Sequence, residues 1–328
     1  MIFPGKLKRG DEVRVVTPAR SIKLPFITQE VQQLAVERLE AMGLKVTFGN
    51  HVGALNHFNS SSVEDRVSDL NQAFQDSSVK IILSVIGGFN SNETLPYLDY
   101  EKIRKNPKIL CGYSDITALS NGIFAKTSLV TYSGPHFFDF GDRKGFDYTG
   151  DYFRKCLFSN EPFQVVPSTS WSNDRWANDQ GTRTFTPNEG PFTISNGKAR
   201  GTILGGNLVT FQKLSGTPYS PRFANTVLFL EEDSGEDLFT FNGNLTALTL
   251  RSDFAEVRGI VIGRFQPESK ISRLDLIEVV KNNRALQRIP IIGGLDFGHT
   301  TPKITFPVGG TCEILAEADY PTVIIEKH

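Results

Sequence analysis

Val79-Lys80-Ile81-Ile82-Leu83-Ser84-Val85-Ile86, followed at once by Gly87-Gly88-Phe89-Asn90-Ser91-Asn92, is the stretch that decides the fold. A mostly apolar run of this length, closed by glycines, suits a strand buried on both faces of a parallel sheet, where helices cover it above and below. Reading back from it, Glu12 to Val16 forms a strand ending at Thr17-Pro18. Thr28 to Met42 has Val31, Leu34, Ala35 and Leu39 at helical spacing, with Gly43 as its stop. Leu44 to Phe48 is the next strand, and Ser61-Ser62-Val63-Glu64 has the pattern of a capping box before a helix with Val63, Val67, Leu70 and Phe74 on its apolar face.

Reading forward, Pro107 to Leu110 is a strand, Ile116 to Lys126 a helix and Leu129 to Tyr132 a strand. Repeated β-α units predict an α/β fold: an N-terminal domain, residues 1–140, with an open, mostly parallel sheet and helices on both faces. From about Phe137 the texture turns polar and irregular, and residues 141–198 read as a linker and substrate loop holding both tryptophans. Long irregular segments inside compact proteins are usually functional. Beyond it, Asn225–Glu231, Gly259–Gly263 and Ile289–Gly293 read as strands, and Asn242–Leu250 and Ser272–Asn283 as helices. Residues 199–328 are therefore expected to form a smaller mixed α/β C-terminal domain.

Composition narrows the function classes. A formal net charge of -1 over 328 residues offers no bulk attraction for nucleic acid or an anionic membrane. No apolar run approaches the ~20 residues of a membrane span. Met1 to Arg9 carries no hydrophobic core of a signal peptide, so a cytoplasmic location is expected. The three cysteines, Cys111, Cys156 and Cys312, are far apart. They give neither metal-ligand spacing nor a disulfide framework, so no metal and no cofactor is expected.

Chemistry concentrates at the strand ends, where ligands bind in open α/β sheets. Cys111-Gly112-Tyr113-Ser114-Asp115-Ile116-Thr117 runs from strand into helix. A serine on such a turn projects its hydroxyl beside the first helix amides, which can stabilise an oxyanion. The competing interpretation is that Ser114-Asp115 is an ordinary helix N-cap. A nucleophilic serine needs a base, and the candidates are His51, His57, His136, His299 and His328; His51 and His57 lie in a polar loop, His328 is expected to fray, and His299 comes after an apolar strand, where a crevice begins. The base in turn needs a carboxylate. Glu231 closes the apolar run Leu228-Phe229-Leu230, but the acidic stretch Glu231 to Asp237 also reads as a solvated loop.

These pieces resemble the LD-carboxypeptidase family of serine peptidases, which includes the microcin C self-immunity peptidases. The resemblance spans almost the whole chain and rests on Ile86-Gly87-Gly88-x-Asn90-Ser91-Asn92, Gly112-Tyr113-Ser114-Asp115, Leu204-Gly205-Gly206-Asn207-Leu208, Leu228-Phe229-Leu230-Glu231 and His299-Thr300-x-Pro302. It implies a catalytic triad of Ser114 as nucleophile, His299 as general base and Glu231 orienting the imidazole. It also implies oxyanion donors on the backbone of Gly88 and Asp115, a site between two domains, no metal and a homodimer. One departure leaves the carboxylate open: Glu232 follows Glu231 directly, and an inserted residue would make Glu232 the triad member.

Two branches of that family differ in substrate. One removes the terminal D-alanine from murein tetrapeptides. The other cleaves a C-terminal aspartyl group from a nucleotide-like moiety. Trp171-Ser172-Asn173-Asp174-Arg175-Trp176 resembles the Trp-containing loop of the second branch, so a small peptide or peptidyl-nucleotide substrate is expected, with Trp176 before Trp171 as the ring that stacks on a base. The bland alternative is that a tryptophan only pins the loop to the core. Asn207 and Asn92 are candidate contacts for the substrate carboxylate. A catalytically silent binding protein on this scaffold and an unrelated esterase are the remaining alternatives.

Overall fold

Two twisted sheets and the helices between them organise the chain in a computed structural model that describes residues 1–317 and 320–328. The first sheet takes β1 (Glu12–Val16), β2 (Lys45–Phe48), β3 (Val79–Ser84), β4 (Ile109–Cys111) and β5 (Thr131–Ser133). All five run parallel, in the order β5-β4-β3-β1-β2. Crossovers pass through α1 (Gln29–Ala41), α2 (Val63–Gln75), α3 (Tyr100–Lys105) and α4 (Ile116–Thr127). β3 lies at its centre, and Ile81, Ile82 and Leu83 are fully buried, as a strand covered on both faces must be.

α2 starts one residue later than the capping pattern suggested. Ser62, not Ser61, accepts from the amide of Asp65, and the buried face turns to Arg66, Asp69, Leu70, Ala73 and Phe74, leaving Val63 and Val67 half-buried. Arg66 is tolerated there because its guanidinium donates to the carbonyls of Asn90 and Pro18 and pairs with Glu93.

Residues 141–198 hold more regular structure than their composition suggests. α5 (Asp147–Phe158) buries Phe153, Cys156 and Leu157 with Val13, Val15 and Tyr132 of the first half. β6 (Phe163–Gln164) joins an edge of the second sheet, β7 (Ser170–Trp171) and β8 (Thr186–Pro187) pair with each other, and β9 (Phe192–Ser195) takes the opposite edge of that sheet.

The second sheet continues with β10 (Gly197–Asn207), α6 (Leu208–Gln212), β11 (Thr226–Glu231), α7 (Leu238–Thr249), β12 (Val257–Gly263), α8 (Arg273–Lys281) and β13 (Ile291–Leu295). After these, β14 (Phe306–Val308) crosses back to pair antiparallel with β5, while β15 (Thr311–Ala316) and β16 (Thr322–Lys327) complete the second sheet. Its order is β6-β16-β15-β10-β11-β12-β13-β9, with β10 to β13 parallel. With eight strands against six it is the larger of the two, because both its edges recruit strands from residues 163–195. No helix among the described residues is long and apolar enough to cross a membrane. His328 is buried, and its Nε2 lies 3.0 Å from the Glu161 carbonyl, so the last residue is packed where fraying was expected.

Candidate active site

Four strand ends converge between the sheets. β3 delivers the Gly87-Gly88 loop and β4 the Ser114 turn, whereas β11 ends in Glu231 and β13 leads to His299. Ser114 has φ of +57°, a left-handed conformation that a side chain rarely adopts. Such strain persists only where surroundings enforce it, and it marks a strand-to-helix elbow. Neither Ser114 nor Asp115 caps α4 through its side chain, so the N-cap interpretation of this pair does not hold. Gly87 makes the close approach possible: a Cβ there would lie 2.9 Å from the Ser114 Oγ.

Ser114 Oγ lies 3.0 Å from His299 Nε2, and His299 Nδ1 lies 2.7 Å from Glu231 Oε2. A carboxylate only accepts, so Nδ1 carries the proton and Nε2 presents its lone pair to the serine hydroxyl. Gly298, at φ +106°, gives the imidazole its approach; a Cβ there would lie 2.9 Å from Glu231 Oε2. Burial alone would lower the His299 pKa, but the adjacent Glu231 carboxylate outweighs it and the net direction is upward from 6.5. Glu232 points elsewhere, as strand alternation requires. It accepts from Asn207 Nδ2 at 3.1 Å and the Val209 amide at 2.9 Å, and burial with the nearby Glu231 charge pushes it up to about 9.

The amides of Gly88 and Asp115 meet no protein acceptor among the described residues. The Asp115 carboxylate faces away from Ser114, accepting from the Ser91 amide at 2.8 Å.

His299 opens onto a cavity of about 370 Å³ walled by Phe26, Phe138 and Trp176 and edged by Asn173, Arg175, Asn178 and Gln266. Trp176 is only 6% exposed, with one face stacked on Phe138 at 4.4 Å. Trp171 lies elsewhere, under the Arg264 guanidinium at 5.2 Å and lining a separate cavity beside Phe192, so it does not join this site. Asn207 caps α6 by accepting from the Thr210 amide and bonds Glu232; neither it nor Asn92 lines the cavity.

The cavity floor was not read from the sequence. Buried Lys303 pairs with buried Asp139 at 3.1 Å, and its ammonium stands 4.8 Å over the Tyr113 ring. Tyr113 stacks on His136 at 4.3 Å and meets His299 edge-on at 5.3 Å. Burial holds the His136 pKa far below its ordinary value, and its Nδ1 lies 2.7 Å from Ser84 Oγ. His136 is thus a neutral support under the site. Only the adjacency of Tyr113 to Ser114 hinted at this layer.

Comparison with known proteins gives the family. Residues 13–134 match the LD-carboxypeptidase N-terminal domain and residues 200–314 the LD-carboxypeptidase C-terminal domain. The chain belongs to the LD-carboxypeptidase family. It is a serine-type carboxypeptidase, a hydrolase. The crystal structure of an MccF-like protein from Bacillus anthracis is 47% identical, covers 100% of both chains and superimposes with a TM-score of 0.98. The microcin C7 self-immunity protein MccF of Escherichia coli is 32% identical over 84% of this chain and 82% of its own. A structure of MccF in complex with aspartyl sulfamoyl adenosine has a TM-score of 0.89, with 28% identity over 100% of this chain and 99% of that one.

Proposed function

We propose that this carboxypeptidase uses Ser114, His299 and Glu231 as a catalytic triad to cleave the bond between a C-terminal aspartyl group and a nucleotide-like moiety. Ser114 Oγ attacks the aspartyl carbonyl while His299 Nε2 takes its proton. The oxyanion is met by the amides of Gly88 and Asp115, beside the positive end of α4. The imidazolium, held by Glu231, returns the proton to the leaving group on its cavity side. Water then repeats the sequence in reverse on the acyl-enzyme.

The observation that carries the substrate class is the cavity beside His299. A departing alanine would leave most of its roughly 370 Å³ unfilled. Its aromatic wall and four polar side chains suit a flat base and a ribose, since base–aromatic stacking is worth ~1–3 kcal/mol per base. MccF, the relative seen with aspartyl sulfamoyl adenosine, supports the same class.

Removal of D-alanine from murein tetrapeptides is the second reading. It is supported by 24% identity to the murein tetrapeptide carboxypeptidase of Pseudomonas aeruginosa over 91% of each chain. A purified sample assayed with aspartyl sulfamoyl adenosine, a murein tetrapeptide and a p-nitrophenyl ester separates the readings. Turnover of the first is expected; turnover of the tetrapeptide alone would favour the second, and of the ester alone would overturn both. A cytoplasmic homodimer belongs to the same reading, and light scattering tests its assembly.

A further inference from the structure

The loop that carries Gly88 is held by cations, each on a different carbonyl. Arg20 Nε donates to Gly87 O at 3.0 Å, Lys213 Nζ to Phe89 O at 3.2 Å, and Arg66 to Asn90 O at 2.8 Å. Beyond them, Ser91 is locked to Asp115: its amide donates to the carboxylate at 2.8 Å and its hydroxyl to the carbonyl at 2.6 Å. A flexible glycine pair is thereby fixed in one conformation without help from regular secondary structure.

Arg20 differs from the other two in which peptide it grips. In a trans peptide the C=O of one residue and the N–H of the next point in opposite directions across one rigid plane. Gly87 O and the Gly88 N–H belong to the same plane. Drawing Gly87 O onto Arg20 therefore turns the Gly88 N–H away from Arg20 and holds it there. A charged donor on that oxygen also polarises the peptide, which strengthens donation from its N–H. Lys213 and Arg66 act farther along, on the Phe89–Asn90 and Asn90–Ser91 peptides, beyond the Gly88–Phe89 one.

The packing agrees with this pairing. A Cβ on Gly88 would lie 3.1 Å from Arg20 Cγ and 3.0 Å from Ala19 Cβ, so the arginine stem is seated against the residue whose amide it orients. Arg20 forms no ion pair among the described residues; its Nε holds the Gly87 carbonyl while the guanidinium lies 6.0 Å from the Phe89 ring centre.

We infer that Arg20 is a positioning residue for oxyanion stabilisation: it fixes and polarises the Gly87–Gly88 peptide so that the Gly88 amide is preorganised for the charge that develops when Ser114 attacks. This rests on the triad reading above. Its predicted signature is a loss expressed in the transition state, with ground-state binding preserved.

The test compares the full chain with Arg20→Gln and Arg20→Lys. Two readouts are used: steady-state turnover of aspartyl sulfamoyl adenosine, and the rate at which an alkyl fluorophosphonate labels Ser114. Phosphonylation also builds negative oxygen beside the serine but needs no natural substrate. Arg20→Gln is expected to lower kcat about 30-fold, short of the ~100-fold or more that follows loss of an oxyanion donor itself, with KM within about threefold. Labelling should slow in parallel. Arg20→Lys should recover most of both.

Labelling of Arg20→Gln within threefold of the parent overturns the inference, as does a loss confined to KM. If aspartyl sulfamoyl adenosine is not hydrolysed by the parent but labelling still depends on Arg20, the substrate reading fails and the inference stands. A parent that does not label overturns the nucleophile assignment and the inference together. Should Arg20→Gln fail to fold, Arg20→Met replaces it and is read by the same two limits.

Discussion

The two sides of the site are built by opposite means. The serine side is local: Ser114 owes its position to its own φ, to the start of α4 and to Gly87 beside it. The histidine side is assembled from a distance. Glu231 ends β11 and His299 follows β13, separated by 68 residues and joined only when the second sheet is complete. A locally built group survives damage to remote packing, whereas a remotely assembled pair transmits it. Mutations on the two sides should therefore fail in distinguishable ways.

The largest effect should come from Ser114→Ala. Turnover is expected to fall on the order of 10⁵- to 10⁶-fold, while the unfolding midpoint moves by less than about 2 °C. A variant with near-normal kcat would remove the serine side altogether. Glu231→Gln should follow, with a loss of about 10⁴-fold, because an amide cannot hold the Nδ1–H tautomer.

The pH profile then separates the sides. His299 must be neutral to act as base, so activity is present above its pKa and lost as pH falls through it. Glu231 raises that pKa, placing the acid limb of kcat/KM above 6.5 in the parent. Glu231→Gln should move the limb down; an unmoved limb would break the link between the two residues.

A matched pair of glycine substitutions sharpens the contrast at intermediate size. Gly87→Ala presses on Ser114, and Gly298→Ala on Glu231. Each is expected to cost about 10²-fold in kcat, the usual scale for displacing a catalytic group by about an ångström. Only Gly298→Ala should shift the acid limb, since it alone disturbs the carboxylate. The smallest effect is that of Trp176→Leu. KM for aspartyl sulfamoyl adenosine should rise about tenfold, with little change in turnover of a p-nitrophenyl ester. Equal losses on both substrates would make the indole a packing element only.

The same contrast governs what the sequence reveals. β3 and the Ser114 turn are legible because buried parallel strands and elbows leave local patterns. The meeting of Glu231 with His299 was expected from resemblance and from both lying at strand ends. α5 was missed because Asp147, Gly150 and Asp151 mask a helical repeat at Tyr152, Phe153, Cys156 and Leu157. β6 is too short for a pattern and β9 is half-buried at every residue and so shows no alternation; only the neighbouring strands give them register. The Asp139–Lys303 pair spans 164 residues, and nothing near either residue announces the other. The sequence ranks Trp176 before Trp171 but does not show where either ring goes: β7 turns Trp171 toward Arg264 while the following loop lays Trp176 on Phe138.

One buried carboxylate bears on how such an enzyme changes what it cuts. Asp296 accepts from the Ser168 amide at 2.8 Å and from Asn188 at 3.2 Å, and it pairs with Arg264 of the second half. The loop between Ser168 and Asn188, which includes Trp176, is thus tethered at both feet to Asp296, while its crown is held by the Ser172–Thr301 bridge and by Arg183 on Asp142. Ser114, Glu231 and His299 all lie outside this loop, so exchanging it should alter the cavity wall at Trp176 and leave their mutual distances unchanged.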